Sequence, residues 1–368
     1  MRLKTAINCN CKITPFWPQQ RNCRFLVVQY STNMTPIHAP PAPLLIDGFS
    51  RRFSYLRLSV TDVCNFRCQY CLPNGYTKPL NKPDFLSRAE IKNVVTAFAG
   101  LGIRKVRLTG GEPAVRQDLS EIIRDIKQID GIETIALTTN GYQLAKRAQE
   151  WKDAGINQLN VSLDSLNAEY FAVARGVDQL ANVLHGLETA QKIGFDSIKV
   201  NAVLLKGVND HALPDFLEWV RERPISVRFI ELMQTGNHIE YFKKHHLSAD
   251  FLRTQLIKDG WQIQPRGMTD GPAQAFFHPD YLGRIGIIAP YSKDFCDTCN
   301  RLRISAHGDL KLCLFGDGDV SLRPFLQDAA HQNELQETII NALSQKPVSH
   351  FLQQGITGKM FYLASIGG

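Results

Sequence analysis

Short apolar runs of β type alternate with amphipathic helical stretches between residues 54 and 230. The apolar residues repeat with a period of two in the runs and of about 3.6 in the stretches between them. Strands that alternate with helices form a parallel sheet with crossover helices, so we predict an α/β fold. Six such units favour a barrel or a partial barrel over a small open sheet. The strands are predicted at Tyr55–Val60, Lys105–Leu108, Thr134–Thr139, Gln158–Ser162, Ser197–Leu204 and Ser226–Ile230, and the helices at 87–100, 118–129, 143–154, 178–193 and 211–222. Ser87 and Asp118 are the predicted N-caps of the first two helices.

The chain divides into three regions by composition. Residues 1–46 contain a proline-rich stretch at 35–43, which cannot be helical, so we predict a poorly ordered N-terminal extension. The alternating pattern places the barrel in residues 47–244. Residues 245–368 are predicted to form a smaller C-terminal region built around cysteines, with helices at 248–258 and 331–345 and a Gly-Gly terminus.

Two explanations for the extension stay open. It is either dispensable, with translation starting at Met34, or a targeting peptide, for which its few serines and its early prolines are a poor match. The first explanation is favoured, and with it a cytoplasmic location rather than organellar targeting by residues 1–33.

The charge of the chain is concentrated in the same extension. The net charge is +7, but residues 1–46 hold five basic and no acidic residues, which leaves 42 − 5 = 37 basic against 35 acidic residues elsewhere. A body of about +2 gives no support to nucleic acid as a partner. No apolar run approaches the ~18–20 residues of a membrane span, so we expect no membrane partner either. The chain also lacks a GxGxxG segment after the first strand and a GxxxxGK[ST] segment.

Nine cysteines fall in three windows, and two of these windows have the spacing of metal ligands. Disulfide frameworks are dense and dispersed, whereas 224 residues without cysteine separate the second window from the third. The windows are Cys9, Cys11 and Cys23; Cys64, Cys68 and Cys71; and Cys296, Cys299 and Cys313.

The second window, C-x3-C-x2-C, directly follows the first predicted strand, where parallel α/β folds place their chemistry. Three thiolates fit an iron–sulfur cubane with one open iron; zinc with a remote fourth ligand is the alternative. The third window, C-x2-C-x13-C, admits a Cys3His zinc site because His307 lies within it. Arg301 and Arg303 favour an anionic ligand instead, since two guanidiniums two residues apart on an extended segment project together.

Two motifs together resemble the radical S-adenosylmethionine (SAM) superfamily. They are C-N-F-R-C-Q-Y-C at residues 64–71 and T-G-G-E-P at 109–113. With F-I-E-L-M, C-D-T-C-N-R-L-R and the terminal Gly-Gly, the chain from about residue 45 to 368 resembles the GTP 3′,8-cyclase family, also called molybdenum cofactor biosynthesis protein A. The resemblance implies a partial (β/α)6 TIM-type barrel, with a C-terminal region that carries a second Fe–S cluster.

The same resemblance implies the reaction and its cofactors. One [4Fe–4S] cluster would bind SAM, whose 5′-deoxyadenosyl radical abstracts the ribose C3′ hydrogen of GTP. A second [4Fe–4S] cluster would meet the guanine, and C3′ would join C8 to give (8S)-3′,8-cyclo-7,8-dihydroguanosine 5′-triphosphate, an early step of molybdenum cofactor biosynthesis. Implied partners are a reductant such as flavodoxin or ferredoxin, a downstream cyclic pyranopterin monophosphate synthase, and a second copy in a homodimer.

The resemblance also assigns residues. Cys64, Cys68 and Cys71 would hold the SAM cluster, and Cys296, Cys299 and Cys313 the GTP cluster. SAM contacts would come from Tyr70, Gly111, Ser162 and Met233. GTP contacts would come from Arg57, Arg107, Thr138, Lys199, Arg301 and Arg303. Arg228 and the terminal Gly367 and Gly368 would assist catalysis.

Four cations give a separate indication. Each of them lies within an apolar strand run, at a position that alternates in step with the polar residues of that strand. They are therefore predicted to point into the barrel mouth: Arg57, Arg107, Lys199 and Arg228. Burying several unpaired cations is costly, and a triphosphate would supply the missing charge. Internal salt bridges with acids of the barrel are the alternative. Two other readings of the chain stay open, a peptide-modifying radical SAM enzyme and a zinc-containing nucleic-acid-binding protein.

Overall fold

The computed structural model of the chain describes residues 45–78, 83–236, 238–267, 270–316, 318–358 and 363–366. The predicted poorly ordered extension lies outside these residues except for its last two. No helix in these ranges is both long and apolar enough to pass through a bilayer.

Six parallel strands, paired in the order of the chain, form the centre of one sheet. They are β1 Tyr55–Ser59, β2 Lys105–Thr109, β3 Thr134–Thr139, β4 Gln158–Ser162, β5 Ser197–Leu204 and β6 Ser226–Glu231. All six predicted strands are confirmed to within one residue at each end. Strand β5 shows why these strands were predictable. Buried and half-buried residues alternate along it, because one face packs on the helices and the other lines the barrel, and this gives the sequence its period of two.

The C-terminal region extends this sheet at both ends. Strand β9, Arg284–Ile288, pairs in parallel with β6, and β10, Arg301–Ile304, pairs in parallel with β1. The short antiparallel strands β7 Gln262–Gln264, β8 Gln274–Phe277, β11 Asp309–Lys311 and β12 Asp319–Ser321 complete the order β12-β11-β10-β1-β2-β3-β4-β5-β6-β9-β8-β7. Eight parallel strands therefore make an unclosed partial barrel, as predicted, and the loop 289–300 connects its two ends.

Helices cover the outer face of the sheet. They are α1 Arg88–Gly100, α2 Leu119–Lys127, α3 Leu144–Ala154, α4 Ala168–Arg175, α5 Leu180–Ile193, α6 Leu213–Arg221, α7 Ile239–His245, α8 Asp250–Lys258 and α9 Gln332–Leu343. The seven predicted helices are present with slightly shorter bounds. The short helices α4 and α7 were not predicted; α4 fills the connection after β4 and ends where Gly176 adopts a left-handed conformation with φ of 68°.

The two predicted N-caps differ in chemistry. The Ser87 hydroxyl accepts a hydrogen bond from the Glu90 amide, and the Glu90 carboxylate accepts one from the Ser87 amide, which is a complete capping box. Asp118 occupies the N-cap position of α2, but its carboxylate makes no capping bond. The carboxylate pairs instead with the Arg116 guanidinium at 2.6 Å. This ion pair keeps the carboxylate oxygens away from the helix amides, so no capping bond forms.

Candidate active site

The loop that leaves β1 carries the first cysteine site, which comprises Cys64, Cys68 and Cys71. The three side chains line one cavity, the first cavity, at the carboxyl ends of the strands. Parallel α/β barrels place their chemistry at this end. Strands β2 to β6 each contribute one or more residues to the same cavity, among them Thr109, Thr139, Ser162, Val203 and Ile230.

Two glycines dock the end of β2 against the cysteine loop. The Gly111 amide donates to the Thr61 carbonyl at 2.8 Å. A Cβ at Gly110, where φ is 141°, would lie 2.1 Å from the same carbonyl oxygen, and one at Gly111 would lie 2.3 Å from that of Val63. The close approach that these glycines permit in the structure is therefore to the backbone ahead of Cys64. This reason differs from the ligand contact expected from the sequence.

Glu112 of the same motif is a buried bracing group. Its carboxylate accepts hydrogen bonds from the Ala114 amide at 3.0 Å, the Thr139 hydroxyl at 2.7 Å and the Asn140 amide. Burial raises the pKa of Glu112, and these donors oppose the rise. The carboxylate thus ties the end of β2 to the end of β3, where Thr139 and Asn140 line the first cavity.

A polar network reaches the sulfur of Cys68. Arg175 lies in an ion pair with Asp164 at 3.0 Å and donates to the Tyr70 hydroxyl at 2.9 Å and to the Cys68 sulfur at 3.2 Å. The Tyr70 hydroxyl in turn donates to Asp164 at 2.9 Å. Because both ionic side chains are almost fully buried, the network fixes Tyr70 and the thiol of Cys68 relative to β4 and α4.

The thiols of the first cysteine site suit a cluster of several irons. Burial raises the pKa of Cys64 to about 12 and also raises that of Cys71, with the neighbouring thiolates adding to the effect. Bound iron supplies the positive charge that keeps such thiols ionised. In the described ranges, no three His, Cys, Asp or Glu side chains are arranged to hold a single metal ion. In a cubane each protein thiolate binds a different iron.

The second cysteine site comprises Cys296, Cys299 and Cys313, and it lines a second cavity. Burial raises the pKa of Cys299, but Arg301 and Lys346 outweigh it and lower the value to about 7. A thiol with that pKa is substantially ionised at neutral pH, and thiolate is the form that binds iron. The residues present therefore fit a second cluster.

His307 does not complete a zinc site with these cysteines. Its Nε2 atom lies 3.1 Å from an Asp62 carboxylate oxygen, and both side chains are buried. The ring packs against Phe85, and both side chains line a separate cavity that contains none of the six cysteines. The Cys3His alternative considered for the third cysteine window is wrong for this reason.

Arginines from three neighbouring strands lie side by side along the wall of the second cavity. The register of the sheet pairs Arg57 of β1 with Arg303 of β10 on one side and with Arg107 of β2 on the other. Paired residues point to the same face of a sheet, where like charges repel. Two positions earlier on each strand, the same face carries Arg301, Tyr55 and Lys105.

Lys199 and Arg228 add two cations from β5 and β6. Burial, together with neighbouring cations, lowers the pKa of Lys199 to about 7 and that of Arg228 to about 9. Gly286 of β9 leaves room for Arg228, since a Cβ there would lie 2.7 Å from the arginine Cγ. Arg228 donates to the amide oxygen of Asn160, a neutral partner.

Three of the cations, Arg107, Lys199 and Arg228, have no carboxylate in an ion pair of 4.0 Å or less among the described residues. Asp270 raises the pKa of Lys199, but it is the smallest of the five causes acting on that group. Internal salt bridges, the alternative considered for the strand cations, therefore do not account for these three.

The two cavities adjoin, because Asn201, Ile230 and Met233 line both of them. All four predicted SAM contacts, Tyr70, Gly111, Ser162 and Met233, line the first cavity. The predicted GTP contacts are divided. Arg57, Arg107, Arg301 and Arg303 line the second cavity, together with Arg228. Thr138 lines the first cavity, where its hydroxyl accepts a 3.4 Å hydrogen bond from Arg107. Lys199 lies near Arg107 and Arg228 but lines neither cavity.

The C-terminal segment reaches the first cysteine site. Leu363 and Ala364 are buried and line the first cavity, and the Ala364 amide donates to the Cys71 sulfur. The predicted catalytic residues Gly367 and Gly368 lie outside the described residues. The chain is thus led into the active-site region three residues before the terminal pair.

Several residues of the site were not predicted. Lys105 could have been predicted, because it lies two residues before Arg107 in the same strand and therefore on the same face of the sheet. It hydrogen-bonds Gln158 at 2.8 Å and lies over the Tyr55 ring. Cations lower the pKa of the Tyr55 hydroxyl despite its burial. Asp164 and Arg175 carried no comparable signal. Polar residues are common in the loop after a strand, where Asp164 lies, and basic residues are common in the last turn of a helix, where Arg175 lies.

Two family models match the chain. One, described as the radical SAM superfamily, covers residues 58–220. The other, described as Molybdenum Cofactor Synthesis C, covers residues 225–352.

The chain is also similar to curated bacterial proteins named GTP 3′,8-cyclase. The protein from Tolumonas auensis is 54% identical over 337 residues, which is 90% of this chain and 100% of the relative. That from Aeromonas hydrophila is 54% identical over 88% of this chain and 96% of its own length. The protein from Pasteurella multocida is 52% identical with the same coverage of both chains.

Among solved structures, the chain resembles Streptococcus suis SuiB bound to S-adenosylmethionine. The TM-score is 0.57 at 12% identity, over 80% of this chain and 68% of the other. SuiB bound to a precursor peptide gives 0.56 at 11% identity, over 80% and 67%. These similarities support the radical SAM type of barrel.

Proposed function

The chain belongs to the GTP 3′,8-cyclase family of radical SAM enzymes, which acts in molybdenum cofactor biosynthesis, and we propose how its residues divide the work. The enzyme uses SAM and two [4Fe–4S] clusters, and GTP is its substrate. The observation that supports the division is the pair of adjoining cavities, each with its own set of three cysteines. SAM occupies the first cavity and GTP the second in this proposal.

On the SAM side, Cys64, Cys68 and Cys71 hold the first cluster. When bound, this cluster would supply the electron for reductive cleavage of SAM to methionine and a 5′-deoxyadenosyl radical, the species that would abstract the C3′ hydrogen of GTP. Tyr70, Gly111, Ser162 and Met233 contact SAM. The buried network of Arg175 and Asp164 holds Tyr70 in place through hydrogen bonds of 2.9 Å.

On the GTP side, Cys296, Cys299 and Cys313 hold the second cluster beside the base. The triphosphate lies against the cation cluster formed by Arg57, Arg107, Lys199, Arg301 and Arg303, with Thr138 at its border. Guanidinium groups suit phosphate oxygens because each presents two parallel donors. Bound phosphate offsets the mutual repulsion of these cations. In the described part of the chain no carboxylate lies within 4.0 Å of the charged groups of Arg107 and Lys199, and Asp270 acts only weakly on Lys199.

Arg228, with Gly367 and Gly368, is proposed to assist the ring closure. Arg228 lies on the wall of the second cavity, and the buried segment at Leu363 and Ala364 leads towards the two glycines. Appending residues after Gly368 tests the role of the terminus, and undiminished turnover would contradict it.

Further elements of the proposal concern partners and location. A reduced flavodoxin or ferredoxin delivers the electron, a cyclic pyranopterin monophosphate synthase consumes the product, and the enzyme acts as a homodimer. The cytoplasmic location and the domain bounds 47–244 and 245–368 also remain predictions.

Anaerobic reconstitution tests the proposal. We expect about eight irons per chain, from two cubanes, and consumption of GTP together with cleavage of SAM. Replacing all three cysteines of the second site with alanine should leave about four irons and abolish GTP consumption. Zinc uptake without iron, or GTP consumption by the triple variant, would contradict the division of work.

A further inference from the structure

Arg51 lies in a tight turn ahead of β1, 245 positions before Cys296 of the second cysteine site, and its side chain is only 6% exposed. Its Nε donates to an Asp47 carboxylate oxygen at 2.6 Å. Its Nη1 donates to the carbonyl of Cys296 at 3.2 Å and to that of Val348 at 2.7 Å, and Nη2 donates to the Pro347 carbonyl at 2.7 Å. One guanidinium therefore joins three segments of the chain.

The turn that carries Arg51 is itself built around Asp47. The other carboxylate oxygen of Asp47 accepts from the amides of Phe49 and Arg51, each at 3.0 Å. Ser50 between them has a φ of 61°, a conformation that is unfavourable for residues other than glycine. The carboxylate both shapes the turn and neutralises the buried arginine.

The carbonyls that Arg51 holds belong to the second cysteine site and to residues 347 and 348, which lead into the segment beside it. Cys296 is a cluster ligand in the proposed function. Next to Val348, the Ser349 hydroxyl lies 3.6 Å from the Cys296 sulfur. The His350 ring then packs 5.7 Å from Phe295 and lines the second cavity.

We infer that Arg51 is a positioning residue for the second [4Fe–4S] cluster, an inference that rests on the proposed function. Through its guanidinium fork it fixes the backbone of Cys296 and the 347–350 segment, so that the ligand and the cavity wall keep one arrangement. A buried ion pair that served stability alone would be replaceable by apolar side chains. Three backbone carbonyls aligned on one fork are a specific use of arginine, because a lysine ammonium cannot span them.

The test compares Arg51→Gln, Arg51→Lys and Asp47→Asn with Arg52→Gln, which changes the adjacent, exposed arginine. Mutation of a group that orients a metal ligand typically lowers metal affinity by about 10–100-fold. After anaerobic reconstitution we expect iron of the second cluster to be lost to a chelator at least about tenfold faster in Arg51→Gln. Arg51→Lys should behave similarly and Arg52→Gln like the parent.

The first cluster is the internal control for folding. We expect Arg51→Gln to retain the first cluster, with an unchanged electron paramagnetic resonance spectrum and unchanged SAM cleavage in the absence of GTP. The same chelator assay in a Cys64→Ala, Cys68→Ala, Cys71→Ala background reports the second site alone.

Two results would overturn the inference. One is iron retention and a second-cluster spectrum in Arg51→Gln equal to those of the parent. The other is equal loss of both clusters in Arg51→Gln and Asp47→Asn, which indicates general destabilisation. The iron content and GTP turnover of the parent test the proposed function separately, because the role of Arg51 is judged only from the variant-to-parent ratio.

Discussion

Lys199 should take up a proton when GTP binds. In the free protein burial, together with Arg228, Lys105 and Arg107, lowers its pKa to about 7. At pH 8 the ammonium form is then only about 10% populated. A triphosphate beside the amine favours the charged form and returns the pKa towards its usual value of about 10.4.

The expected magnitude follows directly from these pKa values. Binding at pH 8 should take up about 0.9 proton, and GTP affinity should fall close to tenfold per pH unit above pH 8, about 1.4 kcal/mol. The phosphates contribute little, because phosphate monoesters have a second pKa of about 6 and are already ionised at pH 8. Without GTP, Lys199 is mostly neutral in the folded protein between pH 7 and its usual pKa of about 10.4. In the unfolded chain the same amine is still protonated in that range. The free energy of unfolding should therefore rise with pH in that window.

Anaerobic titration calorimetry of the reconstituted enzyme, in two buffers of different ionisation enthalpy, measures the proton number. Lys199→Gln should reduce it to near zero. Lys206→Gln, which changes an exposed lysine just beyond β5, should leave it unchanged. The explanation would be refuted by a parent enzyme that takes up no proton at pH 8, or by a Lys199→Gln variant with the parent's proton number.

Three further predictions concern the first and second sites. Gly110→Ala should prevent iron binding at the first site, measured after reconstitution, because the new Cβ would lie 2.1 Å from the Thr61 oxygen; normal iron content would contradict the docking role. Asp164→Asn should lower the free energy of unfolding by about 3–5 kcal/mol in urea titrations, because it leaves buried Arg175 without its counterion; a change below about 1 kcal/mol would contradict this. Arg303→Ala should raise the KM for GTP at least about tenfold with the first cluster intact, and an unchanged KM would remove this arginine from the site.

The central strands were predictable from the sequence because their periodicity is a local property. Strands β9 and β10 were not, although they complete the parallel part of the barrel. They are at most one residue shorter than β1 or β2, but they lie in a region rich in glycine and proline, where no regular alternation of strands and helices marks them. Their conformation is fixed by pairing with β6 and β1, which no local pattern records.

The same distinction holds for the site. The cysteines follow from their spacing, and the cations of β1, β2, β5 and β6 from their parity in apolar strands. Arg51 and Arg175 act through contacts with residues that are 245 and 107 positions away, at Cys296 and Cys68. Such contacts depend on how the chain returns to the site, and the sequence around each arginine carries no mark of it.

The central claim is that SAM and GTP react in adjoining cavities. Transfer of deuterium from GTP to the 5′-deoxyadenosyl group of SAM tests it most directly. The fully reconstituted enzyme is given SAM and GTP that carries deuterium at C3′, and the 5′-deoxyadenosine formed is analysed by mass spectrometry. Adjoining SAM and GTP cavities predict that the product of one turnover carries one deuterium. Unlabelled 5′-deoxyadenosine, formed while labelled GTP is consumed, would contradict the account.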